Sequence, residues 1–455
     1  MKKKKKGTAL EALEFFDFKR HAKKEAEEDQ KGKKLPEANF HLPKKDHIPL
    51  QFEISNYLKE NFEIFSNISQ GMVYIYRDDR GCYVPMDQAK FRVFLSKIFI
   101  KQAIEPYLSP TVQSATFERL VSSAIHQIDT NLFDRQERFI AVKNGVIDLV
   151  TGRLEPHSPK YGFTKVLPIT VKQKHLNLIS ANEPKKFLKA LKQSFPDKND
   201  RRRFLECCGY YISNCYTRKV AFIFLGKPHS GKSALLRLLT KMVGAENVSQ
   251  LPLRRLGDRF AIAQLAGKKL NICGETGSAT IRNLDIFKSL LGNDDIEAEF
   301  KGRDMFSFSG RCKCLFATNK MPLIDDRIAE DAIFDRFEFI EFAHAIPPKK
   351  QIPDFESTLM EDEDSQILGL MISALRSWYR KGREFTESNA SIAQKKQFVQ
   401  QNKGTDFVKK FLKDHCKFSS ESHVSNSDLY VAYRAYCEKN CFSALPPRTF
   451  IKRVL

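Results

Sequence analysis

Apolar residues recur along this chain with two periods, and each period predicts its own elements. Alternation over Met72–Tyr76 and Cys82–Val84, around Arg77-Asp-Asp-Arg-Gly81, predicts a hairpin. A second hairpin is predicted over 139–159, with turns at Asn144-Gly145 and Thr151-Gly152. Helical spacing covers Phe52–Phe65, Phe91–Ile104, Val112–Ile128 and Pro184–Tyr211. Apolar runs at Ala221–Leu225, within 265–275, at Cys312–Asn319 and within 332–340 predict buried strands of a parallel sheet. Ile296–Phe308 alternates as two strands around Lys301-Gly-Arg-Asp304. Near the end, Asp406–Cys416, Asp428–Tyr436 behind caps at Ser425–Ser427, and a segment from Leu445 predict three short helices.

The run at Ala221 leads straight into Gly226-Lys227-Pro228-His229-Ser230-Gly231-Lys232-Ser233-Ala234 and then an apolar-periodic helix. Strand, GxxxxGKS loop and helix in that order predict a phosphate loop, in which backbone N–H groups and the helix N-terminus cradle a polyphosphate. Lys232 is then expected at the β/γ-phosphates and Ser233 at Mg²⁺. Downstream, Glu275 ends the second apolar run, where an acid can polarise water or hold Mg²⁺. Asn319 ends the third and can orient water or sense the γ-phosphate. Arg336 stands beside the fourth as a candidate trans-acting finger, or as an ion-pair partner of Asp335 or Glu338. The tip around Lys301 and Arg303 suits a phosphate backbone, although such a hairpin is more often an ordinary surface turn.

Charge narrows the choice of partner. A chain of 455 residues with a formal charge of +21 and an apolar fraction of 42% holds several packed cores and favours a polyanionic partner, most simply nucleic acid. Lys2–Lys6 open a charged tail that runs to about residue 45. Arg201-Arg-Arg203 can contact phosphates, but a solvated helix face is the commoner cause of three adjacent charges. The acidic run Glu361–Asp364 reads as a helix start. Ten cysteines lack zinc-ribbon spacing and read as reduced thiols. No apolar run has the length of a membrane span, so no membrane partner and an intracellular, cytoplasmic setting in a bacterial or virus-bearing host are expected.

In order along the chain, Gly226–Ser233, Leu265–Glu275, Phe287–Asp294 and Cys314–Pro322 resemble the motifs of superfamily 3 helicases, in particular the phage and plasmid group related to the poxvirus D5 protein. Lys143–Ser158 is similar to the segment that precedes the ATPase in that group, so the resemblance runs from about Phe52 to the C-terminus. It implies an α/β fold: an AAA+-like P-loop ATPase core, an α+β N-terminal region and a C-terminal helical, winged-helix-like domain. The expected divisions are a basic tail at 1–45, an α+β module at 46–135, a D5-type region at 136–215, the ATPase at 216–345, a helical linker or lid at 346–400 and the C-terminal domain at 401–455. That last domain, a three-helix packing bundle in the alternative, stops before any wing strands.

By the same resemblance the chain hydrolyses ATP with Mg²⁺ between subunits of a homo-hexameric ring, translocates on single-stranded DNA and unwinds forked DNA. Lys232, Glu275, Asn319 and Arg336 are then catalytic, Gly226–Ala234 hold the nucleotide, Ser233 and Glu275 the metal, and Lys288, Lys301 and Arg303 the DNA. Glu299 stands where relatives often carry a basic residue, which shifts the DNA grip to Lys301 and Arg303. The region ahead of the ATPase shows no paired-carboxylate site, so no priming activity is expected, and a separate primase or polymerase of the same replication system is a candidate partner. The alternative class is an origin-binding initiator or loader that uses ATP mainly for assembly.

Overall fold

The computed structural model describes residues 49–455 apart from 101–104, 177–182, 275–279, 282–283, 303–304, 325–330, 353, 403–406, 420–421, 440–443 and 455. The tail expected over 1–45 lies outside the described residues. The chain divides into two compact units, Met1–Asn177 with Ile212–Cys215, and Leu178–Tyr211 with Tyr216–Leu455.

In the first unit the predicted hairpin forms, Met72–Arg77 pairing with Cys82–Met86, but it gains a third antiparallel strand, Ile64–Asn67. The helix expected over 52–65 therefore ends early, at Asn61. Phe62 is already extended (φ −133°, ψ 145°), and Ile64 and Ser66 point inward with the period of a strand. Pairing of Ile64 with Ile75 overrides a helical pattern that no terminal cap had closed. Helices Leu50–Asn61, Gln88–Phe99 and Pro110–Val121 contribute Leu58, Phe91, Leu95 and Leu120 to one core with Val73 and Ile75. The second hairpin, Phe139–Val142 with Gly145–Asp148, also forms and adds the short strand Leu154–Glu155.

The second unit is built on a five-stranded parallel sheet. Its strands are β1 (Ala221–Gly226), β2 (Val248–Ser249), β3 (Leu270–Cys273), β4 (Lys313–Thr318) and β5 (Phe337–Phe342), in the spatial order β5-β1-β4-β3-β2. β1, β3 and β4 are almost wholly buried, as apolar runs covered on both faces should be. The Tyr211 hydroxyl joins two strands, accepting from the Phe222 N–H and donating to the Cys314 carbonyl at 2.7 Å. The chain is thus α/β, with a parallel central sheet.

Several charged residues that look superficial in the sequence turn inward. Arg203 is buried, pairs with Glu338 and donates to the carbonyls of Phe339 and Thr386. Arg202 bonds Glu206 and Ser377, and Arg201 bonds the carbonyls of Phe195 and Pro196. Arg203 is therefore a packing residue, whereas Arg202 stays exposed on the solvated face of the same helix, Lys198–Ile212, and Arg201 is half-buried. The acidic run 361–364 closes one helix, Phe355–Asp362, and opens the next, Asp364–Arg380. Its Glu363 carboxylate accepts the N–H groups of Lys186 and Phe187, capping helix Lys185–Ser194, whose own Pro184 offers no side-chain cap.

At the C-terminus, helices Phe407–His415, Asn426–Lys439 and Pro447–Val454 close around Val408, Phe411, Tyr433 and Phe450. Ser425 accepts the Asp428 N–H at the start of the second helix. No strand accompanies them among the described residues. No described helix is long and apolar enough to cross a membrane.

Candidate functional site

β1 ends at Gly226, where a side chain would collide with the Phe342 carbonyl of β5, so only glycine lets the two strands stay in register here. The loop then turns through His229 (φ 58°) and Gly231 (φ 90°) into helix Lys232–Val243. The Ile346 N–H donates to the His229 carbonyl at 2.8 Å, tying the loop to the segment after β5. Lys232 is buried at the first turn and bends back, its ammonium 2.7 Å from the Gly226 carbonyl, 2.6 Å from that of Lys227 and 3.3 Å from the Ser230 hydroxyl. The helix N-terminus has no side-chain cap, so its N–H groups face outward toward a cavity of about 560 Å³. That volume lies within the ~300–1,000 Å³ of small-molecule sites.

Pro228, His229, Ser230, Gly231, Lys232, Ser233 and Ala234 line the cavity, and Asn319 joins them from β4. Thr318 pairs with Leu225, which puts Asn319 beside Gly226 at the carboxyl edge of the sheet. The Thr318 hydroxyl bonds the Lys320 N–H and carbonyl and bends the chain there. Asn402, buried at the end of helix Asn389–Asn402, donates to the Pro322 carbonyl and accepts the Ile324 N–H at 2.7 Å, which holds the rest of the segment. Glu275 lies outside the described residues, as does Arg303; Gly274, the residue ahead of Glu275, follows β3 at the same edge.

The far wall was not legible as part of the site. Gln193, Ser194, Ile346, Gln351, Phe355 and Glu356 complete it. Burial pushes the Glu356 carboxyl up, but the Arg237 guanidinium at 2.6 Å outweighs this and holds it below the usual carboxylate range. Ile346, Gln351, Phe355 and Glu356 lie in the stretch expected to be only a linker or lid, and Gln193 and Ser194 in the D5-type region; the proline pair Pro347-Pro348, which stiffens the approach to the wall, was the available signal.

Arg336 is elsewhere. It immediately precedes β5, whose Phe337 pairs with Ala221 and Phe342 with Gly226, so it sits one strand length, roughly 20 Å, from the end of β1. It bonds neither Asp335 nor Glu338: Asp335 pairs with Lys395 and Glu338 with Arg203, while Arg336 donates to the Lys288 carbonyl at 3.2 Å. Lys288 and Arg336 are thus neighbours, both partly exposed and away from the loop cavity. The hairpin forms between Asp295–Glu299 and Met305–Ser309, with Lys301 and Gly302 exposed at its tip and Phe300 stacked on Phe306. Glu299 pairs with Arg259 from the adjoining helix, so its charge is used at the base of the hairpin.

Comparisons place these parts among known sequences. Residues 66–196 match the family described as D5 N terminal like, 224–332 a family of unknown function (DUF5906), and 402–454 the family described as poxvirus D5 protein-like. No curated protein matches the chain. Among solved structures, the A form apo structure of the NrS-1 C-terminal region is similar at a TM-score of 0.45 and 14% identity, over 82% of this chain and 83% of that one. Another apo structure of that region gives a TM-score of 0.43 and 16% identity, over 81% and 82%. Both before the loop and in its C-terminal helices, this chain is similar to D5-type families.

Proposed function

We propose that the chain is an ATP-dependent DNA helicase of a replication system, working as a homo-hexameric ring. The observation that carries this is the placement of the candidate site residues at two ends of one sheet. Lys232, Ser233 and Asn319 share a cavity at the carboxyl edge, while Arg336 stands at the amino edge, out of reach of its own loop. The strand order β5-β1-β4-β3-β2 is that expected of an AAA+-like core. An arginine so placed can meet a nucleotide only on a neighbouring subunit, which is what ring closure supplies.

The residues fit a nucleoside triphosphate. Lys232 already holds its ammonium against three oxygens and can exchange them for phosphate oxygens. Outward N–H groups at the start of helix Lys232–Val243 suit a phosphate, and Ser233 is the first candidate ligand for Mg²⁺. Mg²⁺, when bound, neutralises charge on the phosphates. Glu275 is assigned the polarisation of water, Asn319 its orientation, and Lys288, Lys301 and Arg303 the DNA. The match to D5-type families on both flanks supports a role in replication.

The test is strand separation on a forked DNA with ATP and Mg²⁺. Lys232→Ala is expected to lower DNA-stimulated hydrolysis at least ~100-fold and abolish unwinding. Hydrolysis indifferent to DNA, with no unwinding by the unmodified protein, would refute the proposal. A second reading, an origin-binding initiator, is favoured by the last helix, which exposes Arg448, Lys452 and Arg453. A sequence-specific duplex footprint that persists in Lys232→Ala would select it.

A further inference from the structure

The first unit contains a cluster of cations that the helicase proposal does not use. Lys59, in the last turn of helix Leu50–Asn61, donates to the Ser123 hydroxyl at 3.2 Å. The same hydroxyl lies 3.0 Å from Nδ1 of His126. Arg119, one turn ahead of Ser123, lays its guanidinium 3.2 Å over the centre of the Phe52 ring, and its buried Nε has no hydrogen-bond partner. Phe52 and Lys59 are seven residues apart, and Arg119 and Ser123 four, so each pair shares a face of its helix or helix end. No carboxylate pairs with Lys59 or Arg119 among the described residues. Burial and the Arg119 charge both push the Lys59 ammonium down, and burial and Lys59 do the same to His126. Like charges gathered without a counter-ion raise the energy of the empty cluster, and an anion lowers it.

We propose that Lys59, Arg119, Ser123 and His126 form a phosphate-binding site. The ammonium and imidazole meet at the Ser123 hydroxyl, and the Arg119 guanidinium, stacked on Phe52 of the helix that carries Lys59, is close enough for its charge to act on Lys59. A tetrahedral oxyanion can accept from the ammonium, the guanidinium and the Ser123 hydroxyl, which turns its proton outward while accepting from the Nδ1–H of His126. Phe52 holds the guanidinium plane by stacking. The phosphate can belong to a nucleic-acid strand or be free. The competing explanation is that the two cations serve only the carbonyl ends of their helices, since both sit in last turns.

The experiment uses the full chain carrying Lys232→Ala, so that the loop at 226–233 does not contribute and the outcome is independent of the ATPase proposal. Inorganic phosphate is expected to raise its thermal unfolding midpoint, and Lys59→Gln with Arg119→Gln to remove that rise. Ser123→Asp puts a carboxylate among the same cations and is expected to raise the midpoint without phosphate and abolish the response to it. If a strand is the source, the double variant also binds a fluorescent oligothymidylate about tenfold more weakly, with its salt slope shallower by ~0.7 for each strand phosphate it no longer neutralises. Unchanged oligothymidylate binding alongside an abolished phosphate response identifies free phosphate. Equal phosphate responses in parent, double variant and Ser123→Asp, with equal oligothymidylate affinities, overturn the site.

Discussion

Two buried carboxylates anchor the first unit, Asp134 reaching Thr164 and Lys165 about thirty residues on, Asp148 holding Arg138 and Val150 close by. Asp148 accepts both the Nε and Nη2 of Arg138, at 3.0 and 2.7 Å, and the Val150 N–H. Burial alone would push its carboxyl up; the Arg138 guanidinium and the Val150 N–H outweigh this and hold it below the usual range. Asp134, gripped by Thr164 and Lys165, is held down in the same way against burial. Because these folded-state values lie below the unfolded ~3.9, the stabilisation is complete above about pH 4 and lost as pH falls through them. Asp148→Asn is expected to cost about 2 kcal/mol at pH 7, in the range for hydrogen bonds to a charged group, and to flatten the acid limb. Urea midpoints measured from pH 7 down to pH 3 check it; an acid limb unchanged in the variant would exclude Asp148 as its source.

At the scale of elements, the hairpin shows how sequence and structure divide the information. Its alternation and glycine turn were readable, since a period of two needs only local residues. The use of Glu299 was not, because its partner Arg259 is 40 residues earlier and only the fold makes them adjacent. What looks like a missing DNA contact is the anchor of the hairpin base. Glu299→Gln is expected to lower stability by about 1 kcal/mol, the upper end for a surface pair, because the Arg259 guanidinium is exposed while Glu299 is largely covered. Lys301→Ala, by contrast, should leave ATP binding unchanged and weaken single-stranded DNA binding, which fluorescence anisotropy against salt would show. A DNA affinity that follows Glu299 and not Lys301 would reverse those roles. The same limit explains the strand at Ile64–Asn67, whose pairing with Met72–Ile75 no helical count reveals, and the cavity wall at Gln193 and Glu356, which gathers from segments more than 150 residues apart.

For the whole molecule, the separation of Arg336 from its own loop turns a residue into a question of assembly. Mixing Arg336→Ala with Lys232→Ala subunits should restore part of the hydrolysis that each alone lacks, because some interfaces then pair an intact loop with an intact arginine. An arginine finger is worth about 10³-fold or more, so even a small fraction of such interfaces is detectable by ATPase assay. No recovery would confine Arg336 to its bond with the Lys288 carbonyl.

The segment behind Asn319 is held from several directions. Asn402 clasps Pro322 and Ile324, Leu323–Ile324 pairs with Thr280–Ile281, and Leu323 packs against the core of the C-terminal helices. Those helices therefore are not a detachable module: exchanging them for another domain would mean recutting the surface that steadies the segment behind Asn319. Recombination among such genes should keep residues 319–324 and the C-terminal helices together as one inherited piece.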